Sequence, residues 1–599
     1  MQCNIQGFSR ILLSLSESLD MCAPALLPSN PSILDLGRNK HSFALLLLLA
    51  AILLPTTNAG GQGTSTTPST ATTLPDLMSS SLKLYRTGNF DDALAGYRRA
   101  MEQEPKSGEA YAGAARCLLK QEKISEAFEV ATQGVAQAPD SATAHTALGE
   151  VLFRRGAIYY ADVEFVKAAN HAKPDARAFL GKSRIEEAMS MYAQAKKHLD
   201  RAHLLDPTDP EIDRAWLGTL HRADQIKELE QYLAGLSNDD LETREWLEHR
   251  LELLKEKQQQ PSHSCKLATD VEHTETRLEQ MLIDARHLRG YGLRVNVNGQ
   301  TARLLLDTGA GGLLINRRMA EKAGVKPVVQ TKLRGIGDKG PTDGYIGYAD
   351  SIKVGGLEFQ NCLVEVSEKR SIAGEDGLVG SDVFSHFLVT IDFPQEKLIL
   401  SELPKRPNEQ RSKEATLNTA DADDPATGPE NRAGESSDRQ DAGRHTAAAE
   451  DAGPQDRYIA PEMKSYTPVY RFGHALLIPT RIGSLDPKLF LIDTGGFTNE
   501  ISPAAANEVT KVRSDPYTTV RGISGSVKEV KSADKVVIQF GHFRQQNEDI
   551  ISFDLTPISR GTGTEVSGIL GFTLLHMLTI KIDYRDGLVD FDYKRGPWD

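Results

Sequence analysis

The tripeptide Asp-Thr-Gly occurs twice, as Asp307-Thr308-Gly309 within LLLDTGAGGLLIN and as Asp493-Thr494-Gly495 within LFLIDTGGFTNEI. Each copy ends a block of apolar residues. At average composition a chain of 599 residues holds one such tripeptide by chance roughly one time in ten. Two copies in matched settings point to a pair of aspartates with a joint task. Two carboxyls a few ångströms apart cannot both ionise cheaply, so one pKa is driven up and the pair shares a proton. Such a pair can take a proton from a water while giving one to the carbonyl oxygen the water attacks, which hydrolyses an amide without a covalent intermediate. Asp307 and Asp493 are therefore assigned jointly as general base and general acid, with the location of the shared proton left open. Gly309 and Gly495, lacking side chains, let the backbone approach the carboxyls and donate hydrogen bonds to them.

The surroundings repeat as well. A Gly-rich turn follows each aspartate at the same distance to within one residue: Gly335-Ile336-Gly337 and Gly522-Ile523-Ser524-Gly525. Next comes a Gly-apolar-apolar-Gly element, Gly377 to Gly380 and Gly568 to Gly571. Last comes an apolar strand holding one acid, FLVTIDFPQEKLIL around Asp392 and MLTIKIDYRDGLVDF around Asp583. A single Asp-Thr-Gly reads equally well as a turn after a strand, and a single Gly-rich turn as an ordinary hairpin. The same elements in the same order twice favour the paired site. Asp392 and Asp583 are expected to bond backbone at strand ends. His474, His542 and His576 have no ligand partners at metal spacing and are read as structural, so neither metal nor cofactor is expected.

Together these motifs resemble the retropepsin-like aspartic protease family, over residues 290–402 and 466–593. The resemblance implies two all-β barrel lobes whose Asp-Thr-Gly loops meet side by side. Thr308 and Thr494 would cross-bond to the opposite loop and hold the carboxyls coplanar. The Gly-apolar-apolar-Gly elements would support the loops, and the turns at Gly335, Ile336, Gly337 and at Gly522, Ile523, Gly525 would be flaps closing over a peptide. Neither flap carries the Tyr of the pepsin type. After each glycine stands Ala310 or Gly496, where many pepsin-like enzymes have a hydroxyl that lowers the carboxylate pKa. Without that donor a less acidic pair is expected, with an optimum in the mildly acidic to neutral range.

Upstream, Pro105, Pro139, Pro174 and Pro207 recur with a period of about 34 residues, each ending an Ala-rich amphipathic stretch. Gly88, Ala93, Ala100 and Pro105 sit where tetratricopeptide repeats place packing and terminator residues, and residues 76–260 resemble that family. The resemblance implies an all-α solenoid with a concave surface for a protein partner.

The net charge is −13, and no Lys/Arg block long enough to follow phosphates is present, which argues against nucleic-acid binding. Arg38, Lys40 and His41 precede an apolar run from Phe43 to Leu54 and the small residues Thr57-Asn58-Ala59. That run is shorter than the ~20 residues of a membrane span and reads as an export signal, with translation from Met21 and an uncleaved membrane anchor as alternatives. The product would be periplasmic or secreted. The five cysteines, with only Cys117, Cys265 and Cys362 beyond the signal, suggest no disulfide framework.

The expected layout is therefore multidomain: a signal region 1–59, a flexible leader 60–75, the repeats 76–260, a linker 261–289, a first lobe 290–402, a disordered acidic linker 403–465 and a second lobe 466–599. A coil of some 53 residues spans roughly 40 Å, enough for both lobes to pair within one monomeric chain. Two alternatives stay open, pairing of equivalent lobes from two chains and an exported scaffold with inactive protease-like lobes.

Overall fold

The computed structural model describes residues 73–235, part of 244–255, 265–407 apart from 285, 286 and 373, and 455–593. The signal region, nearly all of the leader and the centre of the acidic linker lie outside the described residues.

Helices α1 (Leu74–Arg86), α2 (Phe90–Gln103), α3 (Gly108–Lys120), α4 (Ile124–Gln137), α5 (Ala142–Arg154), α6 (Ile158–Ala169), α7 (Ala176–Ala188), α8 (Tyr192–Leu205), α9 (Pro210–Leu217) and α10 (Arg222–Gly235) follow one another. The helices α2, α4, α6 and α8 each stop shortly before one of the four prolines. The period is also visible at positions with no proline to mark it. The residues at positive φ in the turns before α2, α4, α6 and α8 are Gly88, Glu122, Gly156 and Ser190. The N-caps of α3, α5, α7 and α9 are Ser107, Ser141, Asp175 and Asp209, whose side-chain oxygens accept the first free helical N–H groups. Ala93, Ala127 and Ala161 are fully buried, where a methyl is all the space between paired helices admits.

Each β lobe is a sheet closed on itself. In the first, strand Gln300–Asp307 lies between His287–Val297, antiparallel, and Gly377–Gly380, parallel. The ring closes where Thr342–Val354 pairs with both His287–Val297 and Leu357–Ser367. The second lobe repeats this order: Lys488–Ile492 lies between Ala475–Ile482, antiparallel, and Gly568–Leu570, parallel, and Lys531–Phe540 closes the ring. Alternation sends Leu304 and Leu306, and likewise Phe490 and Ile492, into the barrel cores.

A six-stranded sheet joins the lobes. At its centre Phe387–Asp392 pairs antiparallel with Thr579–Asp583, Val389 opposite Ile582 and Asp392 opposite Thr579. These are the two repeated acid-bearing strands. As expected their acids bond backbone: Asp392 accepts from the Gln395 N–H at 3.0 Å, and Asp583 from the Asp586 N–H at 3.0 Å.

Three expectations need correction. Residues 261–289 are not a plain linker, because Lys266–Leu267, His273–Arg277 and Glu279–Asp284 are strands, the first and last in the first lobe's sheet and the second in the joining sheet. Cys265 forms a disulfide with Cys362, fastening the start of this segment to strand Leu357–Ser367. The described ends of the acidic linker are anchored. Arg406 pairs with the buried Asp586, and the Tyr458 N–H donates to the same carboxyl at 2.8 Å.

The repeat array is packed onto the second lobe along the edge formed by its positive-φ turns. Glu122 pairs with Arg560. A Cβ at Gly156 would stand 2.9 Å from the Glu565 carbonyl oxygen, and one at Gly587 would stand 2.8 Å from Ser190 Oγ. Thr564 Oγ1 donates to the Phe153 carbonyl at 2.6 Å, and the Phe153 ring meets Phe472 edge-on with centroids 6.2 Å apart. Phe153, Ile158 and Phe165 share one apolar cluster with Leu477, Leu489 and Leu491 on the outer face of the second barrel. Phe153→Ala is expected to lower the unfolding free energy of the whole chain by about 3–5 kcal/mol, read by urea titration. Loss of helical signal with the β lobes unaffected would show that the two parts are energetically separate.

Candidate active site

Asp307 and Asp493 end equivalent strands, and the loops that follow are cross-bonded. The Thr308 N–H donates to Thr494 Oγ1 at 3.1 Å, and the Thr494 N–H to Thr308 Oγ1 at 3.0 Å. Each hydroxyl donates its own proton across the interface, Thr308 Oγ1 to the Ile492 carbonyl at 2.8 Å and Thr494 Oγ1 to the Leu306 carbonyl at 3.0 Å. Both threonines are buried, so this reciprocal set fixes the two loops against each other.

The glycines stand against the opposite acid. A Cβ at Gly309 would lie 2.6 Å from Cγ of Asp493, and one at Gly495 would overlap Cγ of Asp307 more severely still. Only a residue without a side chain fits either place. The Gly309 N–H donates to Asp307 Oδ1 at 2.9 Å, while Asp493 Oδ1 accepts from both Gly495, at 2.8 Å, and Gly496, at 2.9 Å. Burial and then the neighbouring Asp493 charge hold Asp307 well above the usual carboxylate range, against the pull of the Gly309 and Ala310 N–H groups. Asp493 is raised by burial alone, and its hydrogen bonds from Asp307, Gly496 and Gly495 counter that rise.

The Gly-apolar-apolar-Gly elements hold the loops from behind. Gly380 pairs with Asp307 in the parallel ladder, and its N–H donates to the Gly312 carbonyl at 2.8 Å. Asp382 carries no signal in the sequence. It accepts the Gly312 N–H at 3.0 Å, and burial pushes its carboxyl up to about 6. In the second lobe the Phe572 N–H donates to the Gly496 carbonyl at 2.7 Å. Asn499 Oδ1 accepts from the Gly571 N–H at 2.9 Å, a tie that no sequence motif marks.

The two Gly-rich turns meet each other. The Ser524 N–H donates to the Ile336 carbonyl at 3.0 Å, and the Gly335 N–H to Ser524 Oγ at 3.2 Å. Gly337 and Gly525 have φ of +127° and +97°, a region that side-chain-bearing residues rarely adopt. A Cβ at Gly522 would overlap the Ile336 carbonyl oxygen. The tips cross over: Ile523 packs with Ala310, Leu314 and Leu378 of the first lobe, and Ile336 joins the apolar cluster of the second. Of the histidines, His576 bonds the Phe572 carbonyl at 2.9 Å, the His542 ring lies tilted against Phe543, and His474 stands against Gly311 in the first lobe's loop.

A family model described as aspartyl protease matches residues 293–383, and one for the tetratricopeptide repeat matches residues 84–157. The chain carries an aspartyl protease domain and tetratricopeptide repeats. The aspartyl protease match ends inside the first lobe, and the second lobe is tied to it by the shared strand order and the doubled loop. Among curated relatives, DNA damage-inducible protein 1 of Chaetomium globosum is 32% identical over 110 residues, 18% of this chain and 24% of that protein. The protein of the same name from Neurospora crassa is 28% identical over 137 residues, 21% of this chain and 30% of that protein. The chain thus spans less than a third of the length of these relatives. Among solved structures, a thermophilic tetratricopeptide-repeat protein of Thermus thermophilus aligns at 24% identity over 31% of this chain and 99% of its own, with a TM-score of 0.25.

Proposed function

We propose that the chain is an exported aspartic endopeptidase in which Asp307 and Asp493 act as one dyad and the repeat array recruits a protein substrate or partner. The observation that carries this reading is the mutual insertion of the two loops, each glycine lying against the other lobe's carboxyl. Export is supported by the apolar run Phe43 to Leu54 with its small-residue exit, and by the Cys265–Cys362 disulfide. No helix among the described residues is long and apolar enough to cross a membrane.

The asymmetry of the N–H donors distributes the roles. Asp493 accepts two backbone N–H groups at one oxygen and holds the negative charge. Asp307 carries the shared proton. A water between the carboxyls loses its proton to Asp493 as it attacks the peptide carbonyl, and Asp307 protonates the carbonyl oxygen. On collapse of the tetrahedral gem-diol the proton on Asp493 passes to the leaving amine and a hydroxyl proton of the gem-diol passes back to Asp307, which restores the starting state. The paired flap turns exclude bulk water over this step and must part to admit a polypeptide.

The test is cleavage of an unfolded protein by the purified mature chain, with and without pepstatin. Pepstatin-sensitive cleavage is expected, and its absence across pH 3–8 would instead support the scaffold. The raised pair places the acid limb above the ordinary carboxylate pKa, so an optimum in the mildly acidic to neutral range is expected rather than one at about pH 2–3. Gly496→Ser adjusts this limb. A Cβ there stands 3.1 Å from Asp493 Oδ2, so the new hydroxyl can donate to the carboxylate. A hydrogen bond favouring the charged form lowers its pKa, and the acid limb should move down by about one unit, read from the pH dependence of kcat/KM. An unmoved or rising limb would contradict this assignment of the charge to Asp493.

A further inference from the structure

The two lobes carry equivalent side-chain rows whose apolar members cluster with a flap tip, and the one acid of each row stands at a different place. In the first lobe Leu305, Leu378, Leu314 and Glu365 stand opposite one another across adjacent strands. The corresponding row of the second lobe is Leu491, Ile569, Glu500 and Ile551. Paired residues of neighbouring strands project from the same face. Leu314 and Glu500 each lie seven residues after the dyad aspartate of their own lobe. Leu314 packs in an apolar cluster with Ala310, beside the dyad, and with the flap tip Ile523. The neighbours of Glu500, Ile569 and Ile551, cluster with the other flap tip, Ile336.

Glu500 is therefore an acid where the pseudo-symmetric position is leucine. It is only 6% exposed, and its Oε2 is buried with no hydrogen-bond partner. An isolated buried carboxylate is costly and is normally paired. Burial, and then the charge of Asp493, push this carboxyl up to about 8. None of the interactions that build the dyad, its support or the flaps uses it.

We infer that Glu500 is a specificity-determining residue, the floor of a subsite on the second-lobe side that takes a lysine or arginine side chain of the substrate, while Leu314 takes an apolar side chain on the other. A cationic head supplies the missing donors and the compensating charge at once, and the net negative charge of the dyad favours the same occupant. A polypeptide is then read with direction, although the two halves of the site are otherwise alike. This inference rests on the protease reading above and adds the substrate class to it.

The test uses the full mature chain and peptides varied one position at a time around a fixed scissile bond. One position should prefer Lys or Arg over Leu by about tenfold or more in kcat/KM. Glu500→Leu should invert that preference at that position and raise the melting temperature, while Glu500→Gln should give an intermediate profile. The same Lys and Leu peptides, with a statine unit replacing the scissile bond, give a binding readout that needs no turnover. Absence of a basic preference in both readouts, or a preference that Glu500→Leu leaves unaltered, overturns the assignment. Preferential binding of the Lys peptide without any cleavage supports the subsite and overturns the protease reading instead.

Discussion

Asp307→Asn and Asp493→Asn should each lower kcat/KM on an unfolded protein by about 10³-fold or more, and the double variant should be little worse than either single one. In the proposed mechanism each substitution removes one member of a pair that works only as a unit. An asparagine at 493 cannot take the water's proton, and one at 307 cannot give a proton to the carbonyl oxygen. Stability should move the other way. Both carboxyls are raised by burial, and at Asp307 the Asp493 charge adds to this, so the folded state holds them at a cost. A folded pKa above the unfolded value means that this cost is absent at low pH and grows as pH rises past the unfolded value. The variants should therefore melt at or above the temperature of the parent near neutral pH. A variant that loses activity and also unfolds would mark the aspartate as structural.

Gly495→Ala should be nearly as damaging by a different route. Its methyl would overlap both Cγ and Oδ2 of Asp307, and the Thr494 bonds beside it leave the loop no direction in which to yield. The carboxyls must separate or tilt, and a misplacement of about 1 Å costs a reacting pair roughly 10²-fold. Overpacking should also lower stability by about 1–3 kcal/mol, which distinguishes this variant from the asparagine substitutions. Gly496→Ala is the control. Its Cβ meets Asp493 Oδ2 at 3.1 Å, a tight contact that a small shift relieves, so activity should fall by less than about tenfold. Equal activity of parent and Gly495→Ala would show that the loops do not approach as closely as the cross-bonds imply.

The dyad, its glycines, the flaps and the repeat period were legible because each is written in residue types that local geometry demands, and each occurs more than once. Gly337 and Gly525 mark backbone that side chains avoid, and Pro105 and its successors mark helix ends. What could not be read was long-range pairing. Nothing in His273–Arg277 announces that it extends the sheet joining the lobes, because a short polar alternating strand looks like a linker until its partner at Lys397–Glu402 is known. The Cys265–Cys362 bridge was hidden for the same reason, since it links that segment to a strand of the first lobe. The docking edge of the repeats was obscured because Phe153, Ile158 and Phe165 fit a helical core as well as an interface. Glu500 was visible as a letter, but its meaning needed the register that sets it opposite Ile569 in the place of Leu314.

The central claim is that one chain supplies both halves of one site, and mixing the two single variants tests it most directly. Asp307→Asn and Asp493→Asn chains, each inactive, are combined in equal amounts, allowed to exchange, and assayed beside the parent at the same total concentration. With the lobes joined through the strands Phe387–Asp392 and Thr579–Asp583 of one molecule, the mixture should stay inactive. Recovery of pepstatin-sensitive cleavage toward about a quarter of the parental rate, the share expected if lobes from different chains pair at random, would contradict it.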